Sequence, residues 1–158
     1  MEDNRYAPPK ALVDGAVAGD RAGRAPALWN PDAAASWCLL FTPVFGTWLH
    51  MKNWEALGET ARASSARRWF FVAVVLITLS MLTALSSLAR GNLPMRLATF
   101  LFLIVWYFVA AKPQVAYIKS SFGVDYPRKG WGQPILTAIG LIVASMVVVA
   151  FLIFLGLA

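Results

Sequence analysis

The chain has little of the chemistry from which active sites are built. It contains one cysteine, Cys38, and one histidine, His50, among 158 residues. A single cysteine excludes an intrachain disulfide, and protein metal sites use about four ligands, so no metal and no cofactor is predicted. Only eight residues are acidic, and none lies in a long apolar stretch. Because embedded charges mark ion paths and proton relays, we expect neither an ion-coupled transporter nor an enzyme.

The chain is rich in apolar residues. Hydrophobic residues make up 59% of the sequence, and four stretches lack any charged side chain: 33–51, 69–89, 97–111 and 135–158. About 20 apolar residues in a helix cover the ~30 Å core of a bilayer. The second and fourth stretches meet that length, and the third must borrow residues from upstream or from beyond Pro113. The sequence therefore predicts an all-α integral membrane protein.

The first stretch is broken and unusually rich in tryptophan. Pro43 and Gly46 interrupt it, and Asn30 followed by Pro31 predicts a capped helix start just before it. The tryptophans that bracket it are Trp29, Trp37, Trp48 and Trp54. Since tryptophan favours the membrane–water interface, three arrangements stay open: a kinked span, a re-entrant hairpin and an interfacial helix.

The distribution of basic residues favours one topology. If all four stretches span, the basic residues divide nearly evenly between the two sides. If the first stretch enters and leaves on one side, all of the 14 basic residues except Arg90 and Arg96 fall together. The positive-inside rule then places that side, and the N-terminus, in the cytoplasm and the C-terminus on the periplasmic or extracellular side. It also accounts for the net charge of +6, so no nucleic-acid partner is predicted.

The predicted fold is a bundle of three transmembrane helices plus one Pro/Gly-broken re-entrant or interfacial element, with four transmembrane helices as the alternative. Residues 1–28 are predicted to be a disordered cytoplasmic tail, and 29–158 to form the helical membrane domain. A short amphipathic helix is expected between Lys52 and Arg68. Gly140 and Ala144 form a small-xxx-small pair, which predicts helix packing within the bundle or in a homo-oligomer.

Residues 112–134 are predicted to be a loop and form the most distinctive hydrophilic segment of the chain. Basic and aromatic side chains alternate along it, a composition suited to anionic headgroups or to a protein partner. A plain positive-inside anchor is the simpler interpretation. The candidate contact residues for a partner or for lipid, taken from this segment and from the first element, are Trp37, Trp48, Trp54, Lys119, Tyr126, Arg128, Lys129 and Trp131.

Two segments resemble a known group of proteins. They are WNPDAAASWCLLFTPVFGTWLHMKNWEALGE (29–59) and DYPRKGWGQP (125–134). In these segments, about a quarter of the chain, the sequence resembles small bacterial inner-membrane proteins. The resemblance implies a multi-pass protein of the bacterial inner membrane and brings no activity with it.

Two functions from different classes follow as hypotheses. The first is a non-enzymatic membrane protein that binds a membrane protein, a secreted toxin in the manner of an immunity protein, or anionic lipid. The second is a small oligomeric channel or facilitator, because non-helical backbone at membrane depth is tolerated where it lines a cavity. In that case Pro43 and Gly46 would lie at the pore or act as a hinge.

Overall fold

A computed structural model describes residues 25–86 and 93–155 of the chain, and these are almost entirely helical. The helices are α1 (Pro31–Trp37), α2 (Pro43–Ala56), α3 (Thr60–Ser86), α4 (Leu93–Trp106), α5 (Lys112–Phe122) and α6 (Gly132–Phe154), with a π-helical turn at Tyr107–Ala111. Three segments are long and apolar enough to cross a membrane: Thr60–Thr83, Leu93–Phe122 and Gly132–Phe154. The all-α membrane fold with three candidate spans is therefore confirmed among the described residues.

The first element is a helical hairpin made of α1 and α2. The Asn30 side chain caps α1 by accepting hydrogen bonds from the backbone N–H groups of Asp32 and Ala33, at 3.1 and 3.5 Å. Helix α1 ends well before Pro43, which instead occupies the first turn of α2, where the missing proline N–H has no helical partner to lose. The tip between the helices leaves Leu39 and Leu40 76% and 73% exposed.

Helix α2 turns directly into the first span. Gly58 has φ +72°, a conformation that glycine adopts readily and that ends helices. The predicted amphipathic helix over 52–68 is therefore wrong, because Gly58 splits it into the end of α2 and the first turns of α3. Helix α2 packs along α3, and the tip residues Phe41 and Thr42 line a cleft together with Ile77 and Met81 of α3. This hairpin fits the predicted re-entrant element, and its path relative to the membrane stays a prediction.

The second span gains its length by continuing through Pro113. A proline ring in a regular helix clashes with the carbonyl group four residues earlier, here that of Val109. The π-helical turn removes this clash, since the Lys112 N–H donates to the Tyr107 carbonyl five residues back. The 30-residue helix is about 45 Å long at 1.5 Å per residue, so its α5 end projects beyond the ~30 Å hydrocarbon core.

Small residues have different roles at two positions. Gly46 is buried where α2 crosses α1, and a methyl group there would overlap the Cys38 Sγ and lie 2.9 Å from the Ala34 carbonyl oxygen. Gly140 and Ala144 are exposed on α6, and no heavy atom of the described residues would lie within 4 Å of a methyl group on Gly140. Packing of that pair inside the bundle is therefore excluded in this structure, and self-association stays a prediction.

We expect Gly46→Ala to destabilise the protein by about 1–3 kcal/mol, since overpacking a closed contact forces backbone and side chains to shift. The matched change Gly140→Ala, in open space on a helix, should be neutral or slightly stabilising. Thermal unfolding in detergent measures both. Adding Cys38→Ala to Gly46→Ala removes the overlapping sulfur and should restore part of the loss. Equal stability of the two single variants would contradict the close contact.

Candidate partner-binding face

A pair of hydrogen bonds closes the base of the hairpin. The Trp29 backbone N–H donates to Asn53 Oδ1 at 3.0 Å, and Asn53 Nδ2 donates to the Trp29 carbonyl at 2.8 Å. Asn53 is fully buried. One side chain thus satisfies both backbone groups of Trp29, which would otherwise lose their hydrogen bonds on burial. The pairing fixes the extended segment before α1, residues 25–29, against the last turns of α2.

The same extended segment pairs with the loop between α5 and α6. The Leu28 N–H donates to the Pro127 carbonyl at 3.0 Å, and the Lys129 N–H donates back to the Leu28 carbonyl at 2.8 Å. The Trp29 indole N–H donates to the Gly130 carbonyl at 3.1 Å. The Leu28 side chain is fully buried in a cluster with Ile118. Residues 25–28, predicted as tail, are therefore part of the fold, while 1–24 lie outside the described residues.

The residues 112–134 are not a single loop. Residues Lys112–Phe122 form α5, and only the part that follows Gly123 (φ +71°) is irregular. Basic residues favoured the interpretation as a loop, but α5 buries Gln114, Val115 and Ile118 on one side. The second span is simply longer than the hydrocarbon core requires.

Aromatic side chains from both segments meet beside this loop. The ring centroids of Trp37 and Trp131 lie 6.1 Å apart, and those of Trp29 and Trp48 lie 5.9 Å apart. The Lys129 Nζ lies 4.3 Å from the centroid of the Trp29 ring, a cation–π contact. We use the name composite face for the surface formed by Trp29, Trp37, Trp48, Lys119, Arg128, Lys129 and Trp131.

The charges of the composite face remain accessible. Lys119 is 58% exposed at its side chain and pairs with Asp32 at 3.1 Å. Such an exposed pair contributes little, about 0–1 kcal/mol, so a ligand can compete for it. Arg128 is exposed, donates to the Val124 carbonyl at 3.3 Å and lies 5.6 Å from the Tyr126 ring centroid. The face thus presents cations on an aromatic base.

Two predicted contact residues belong to the core instead. Trp54 and Tyr126 are only 6% and 8% exposed. Trp54 belongs to a hydrophobic cluster with Met51 and Ala66, and Tyr126 to one with Leu28 and Ile118. Arg62 lies 5.0 Å from the Trp54 ring centroid and 4.1 Å from that of Tyr117. The Tyr117 hydroxyl donates to Glu59. These side chains tie α2, α3 and α5 together and offer little surface to a partner.

The candidate pore or hinge residues are also enclosed. Pro43 and Gly46 are buried, and the space that would face a pore at Gly46 is filled by Cys38, Ala34 and Trp106. Thr47, one turn later, donates to the Pro43 carbonyl at 2.8 Å. Within one chain, therefore, the break in the first element is a packing contact.

A buried polar cluster links the hairpin to the second span. His50 Nε2 lies 3.2 Å from the Pro31 carbonyl oxygen, so that nitrogen carries a proton and donates. Gln114 Nε2 donates to the His50 carbonyl at 2.9 Å. The His50 ring meets Trp106 edge to face at 5.1 Å. Burial lowers the pKa of His50 to about 4, although the Pro31 carbonyl and the charge of Asp32 favour the proton.

The sequence interpretation missed the residues that assemble this site. Asn53, Gln114 and Trp106 are buried, yet the first two are polar, and their partners are 24 and 64 residues away in sequence. The one available signal was Gln114, a polar residue within an apolar helical continuation after Pro113. Hydrophobic periodicity cannot predict these contacts, because it indicates which face of a helix is buried but not which residues pack against that face.

The structure gives neither a reactive thiol nor a metal-binding cluster among the residues that it describes. Burial raises the pKa of the Cys38 thiol to about 12, against the opposing hydrogen bond from the backbone of Gly46. The thiol is therefore protonated and a poor nucleophile at neutral pH. Among the residues that the structure describes, no group of three or more His, Cys, Asp or Glu side chains could hold a metal ion.

No family model, no curated protein and no solved structure matches this chain. The resemblance to small bacterial inner-membrane proteins therefore stays a prediction from two motifs. The three candidate spans make the chain a multi-pass membrane protein, and the function of the composite face has to be inferred from its own contacts, exposure and charge.

His50 gives the fold a measurable pH dependence. Its pKa is lowered from 6.5 to about 4 on folding, so the unfolded chain takes up a proton first as the pH falls. Its contribution to stability is complete above about pH 6.5 and is lost between pH 6.5 and 4, in all about 3 kcal/mol. We expect the apparent Tm to fall more steeply over this range than in His50→Gln. Parallel pH profiles for the two proteins would show that His50 is not buried in its neutral form.

Proposed function

We propose that the protein is a non-enzymatic membrane protein that binds a partner through the composite face. The partner is a protein, either another membrane protein or a secreted toxin that the chain neutralises as an immunity protein would, or else anionic lipid. The bacterial inner membrane, a cytoplasmic N-terminus and a C-terminus on the far side belong to the same proposal. The composite face then lies in the cytoplasm, at the membrane surface.

The folded state of the 123–131 loop is the observation that carries this proposal. A loop that only orients helices needs lysine and arginine but no fixed shape. Here, reciprocal backbone hydrogen bonds between Leu28 and the 127–129 segment, and the bond from Trp29 to Gly130, hold it in place. A pre-ordered surface loses less entropy when it binds than a mobile one. That ordering supports recognition over simple anchoring.

Charge and composition indicate what kind of partner fits. Lys119 and Arg128 are exposed, and Trp37, Trp48 and Trp131 are half-buried beside them. Tryptophan and arginine dominate binding energy at protein interfaces, and cations near a bilayer attract anionic groups by about 1 kcal/mol each. An acidic protein surface with apolar side chains at its centre matches the face. An anionic headgroup matches its cations alone.

The channel alternative has weaker support. It needs Pro43 and Gly46 near the axis of a symmetric ring, but both are buried within one chain. Homo-oligomerisation remains a proposal in its own right, for which the exposed pair Gly140 and Ala144 on α6 is the available feature.

Charge reversal on the composite face tests the proposed function. We expect the triple change Lys119→Glu, Arg128→Glu and Lys129→Glu to reduce the recovery of the bound protein from native membranes by about tenfold or more, because like charges then face the partner. Quantitative mass spectrometry of the purified complexes measures this loss. The control variant carries Arg68→Glu and Lys112→Glu, two exposed cations at the same end but outside the face.

The outcomes separate the candidate partners. A protein lost from the triple variant but kept by the control supports protein recognition. If only the co-purified anionic lipid is lost, as measured in the same samples, then the composite face binds lipid headgroups. If the triple variant and the control retain the same proteins and lipids as the unmodified chain, the composite face is only an anchor and the proposed function is wrong.

A further inference from the structure

A deep apolar cleft lies between the hairpin and two of the spans. It has a volume of about 450 Å³. Helix α2 and the residues just before it form one wall, α3 a second and α6 a third. The lining side chains that matter most are Phe45 and Trp48 from the hairpin, Ile77 and Met81 from α3, and Leu141 and Ser145 from α6. This cleft shares Trp48 with the composite face but is lined by none of its cations, and His50 does not line it.

The walls of the cleft suit a hydrocarbon ligand. Among the described residues, none of those lining it is charged. Two of its hydroxyl groups are already used within α6: Thr137 donates to the Gln133 carbonyl at 2.9 Å, and Ser145 donates to the Ile142 carbonyl at 2.7 Å. A polar ligand would therefore lose its hydrogen bonds with water and gain few in return.

The cleft exists because α6 diverges from its neighbours. Only Pro134 and Ala138, both near its start, are buried along its 23 residues, and Ala138 packs there against Phe45 and Leu49. Further along, residues of α3 and α6 line opposite walls of the cleft. Because both helices are candidate membrane spans, a cleft between them borders the hydrocarbon region of a bilayer, where lipid is the surrounding medium.

We propose that the cleft binds one acyl chain of a bilayer phospholipid. A volume of about 450 Å³ is sufficient for a slender, flexible chain of apolar groups. A transmembrane helix is about 10–12 Å across with its side chains and is too wide. Trp48 and Pro134 lie at the end of the cleft nearest the membrane interface, while Met81 and Ser145 lie deeper. The acyl chain therefore enters the cleft from the leaflet that carries the composite face.

The bound chain has a structural role in this arrangement. It fills the gap between α3 and α6, and it thereby supplies the dispersion contacts that α6 lacks in the protein alone. Each buried methylene contributes about 0.8 kcal/mol when it leaves water, but a chain that comes from lipid gains only packing. The site therefore selects by shape, and the chain should be held more strongly than ordinary boundary lipid by close contact on three sides.

Photo-crosslinking with a defined lipid tests the proposal. The protein is reconstituted in vesicles of phosphatidylethanolamine and phosphatidylglycerol that contain phosphatidylglycerol with a diazirine in the middle of one acyl chain. After illumination, peptide mass spectrometry locates the adducts. We expect adduct yield on the cleft-lining residues of α3 and α6 to exceed that on the exposed α4 residues Leu101 and Val105 by about fivefold, which corresponds to about 1 kcal/mol.

Two matched pairs of variants identify the cleft as the site. Ser145→Phe fills it from α6, and Met146→Phe places the same ring on the neighbouring, exposed position. Met81→Trp fills it from α3, and Leu82→Trp is the exposed control. Helix content and elution in detergent check that each variant folds. Filling should lower cleft adducts about fivefold, while the controls should leave them unchanged.

Each remaining result would overturn the proposal. Adducts spread evenly over every exposed apolar residue would show boundary lipid only. Cleft adducts that survive both filling variants would place the chain elsewhere. Adduct yield that falls as the amount of protein per vesicle rises would show that a second copy of this chain occupies the cleft. The triple charge variant of the composite face should keep the cleft adducts, so this proposal and the proposed function fail separately.

Discussion

A bilayer gives an apolar helix no hydrophobic reason to leave lipid and pack on another helix. The hairpin formed by α1 and α2 therefore depends on buried hydrogen bonds: Asn53 to Trp29, His50 to the Pro31 carbonyl, and Gln114 to the His50 carbonyl. Breaking any of these hydrogen bonds leaves buried polar groups without a partner, which costs about 1–3 kcal/mol of stability for each group. This polar cluster fixes where the hairpin lies, and Gly46 permits the close approach that the bonds require.

Both candidate binding regions follow from that placement. Because Asn53 fixes the extended segment at Leu28 and Trp29, the α5–α6 loop can pair with that segment, and the composite face forms. Because α2 packs beside α3 and contacts only the first turns of α6, the rest of α6 is separated from α3 by the apolar cleft. One set of hydrogen bonds thus positions both the charged, ordered surface and the apolar cleft.

The sequence predicted the elements well and their contacts poorly. Hydropathy and charge asymmetry were sufficient for three spans, and Asn30 with Pro31 located the start of α1, since these signals depend on neighbouring residues. The helix over 52–68 failed because one residue, Gly58, ended α2 inside an otherwise good amphipathic pattern. The first element and the 112–134 segment were predicted to contribute to one contact surface, but Trp54 and Tyr126 were misplaced on it, because burial depends on partners that are distant in sequence. No local pattern shows that Gln114 binds the His50 carbonyl.

Labelling from each side of the membrane tests the central claim most directly, namely that the first element returns to the side it came from. In a Cys38→Ala background, single cysteines replace the exposed residues Ala27, Ala56, Leu93 and Gly130, and a membrane-impermeant maleimide is applied to sealed, oriented vesicles. The account predicts that positions 27, 56 and 130 react from one side and position 93 from the other. Reaction of position 27 from the side opposite to position 56 would show that the first element spans the membrane and would contradict the account.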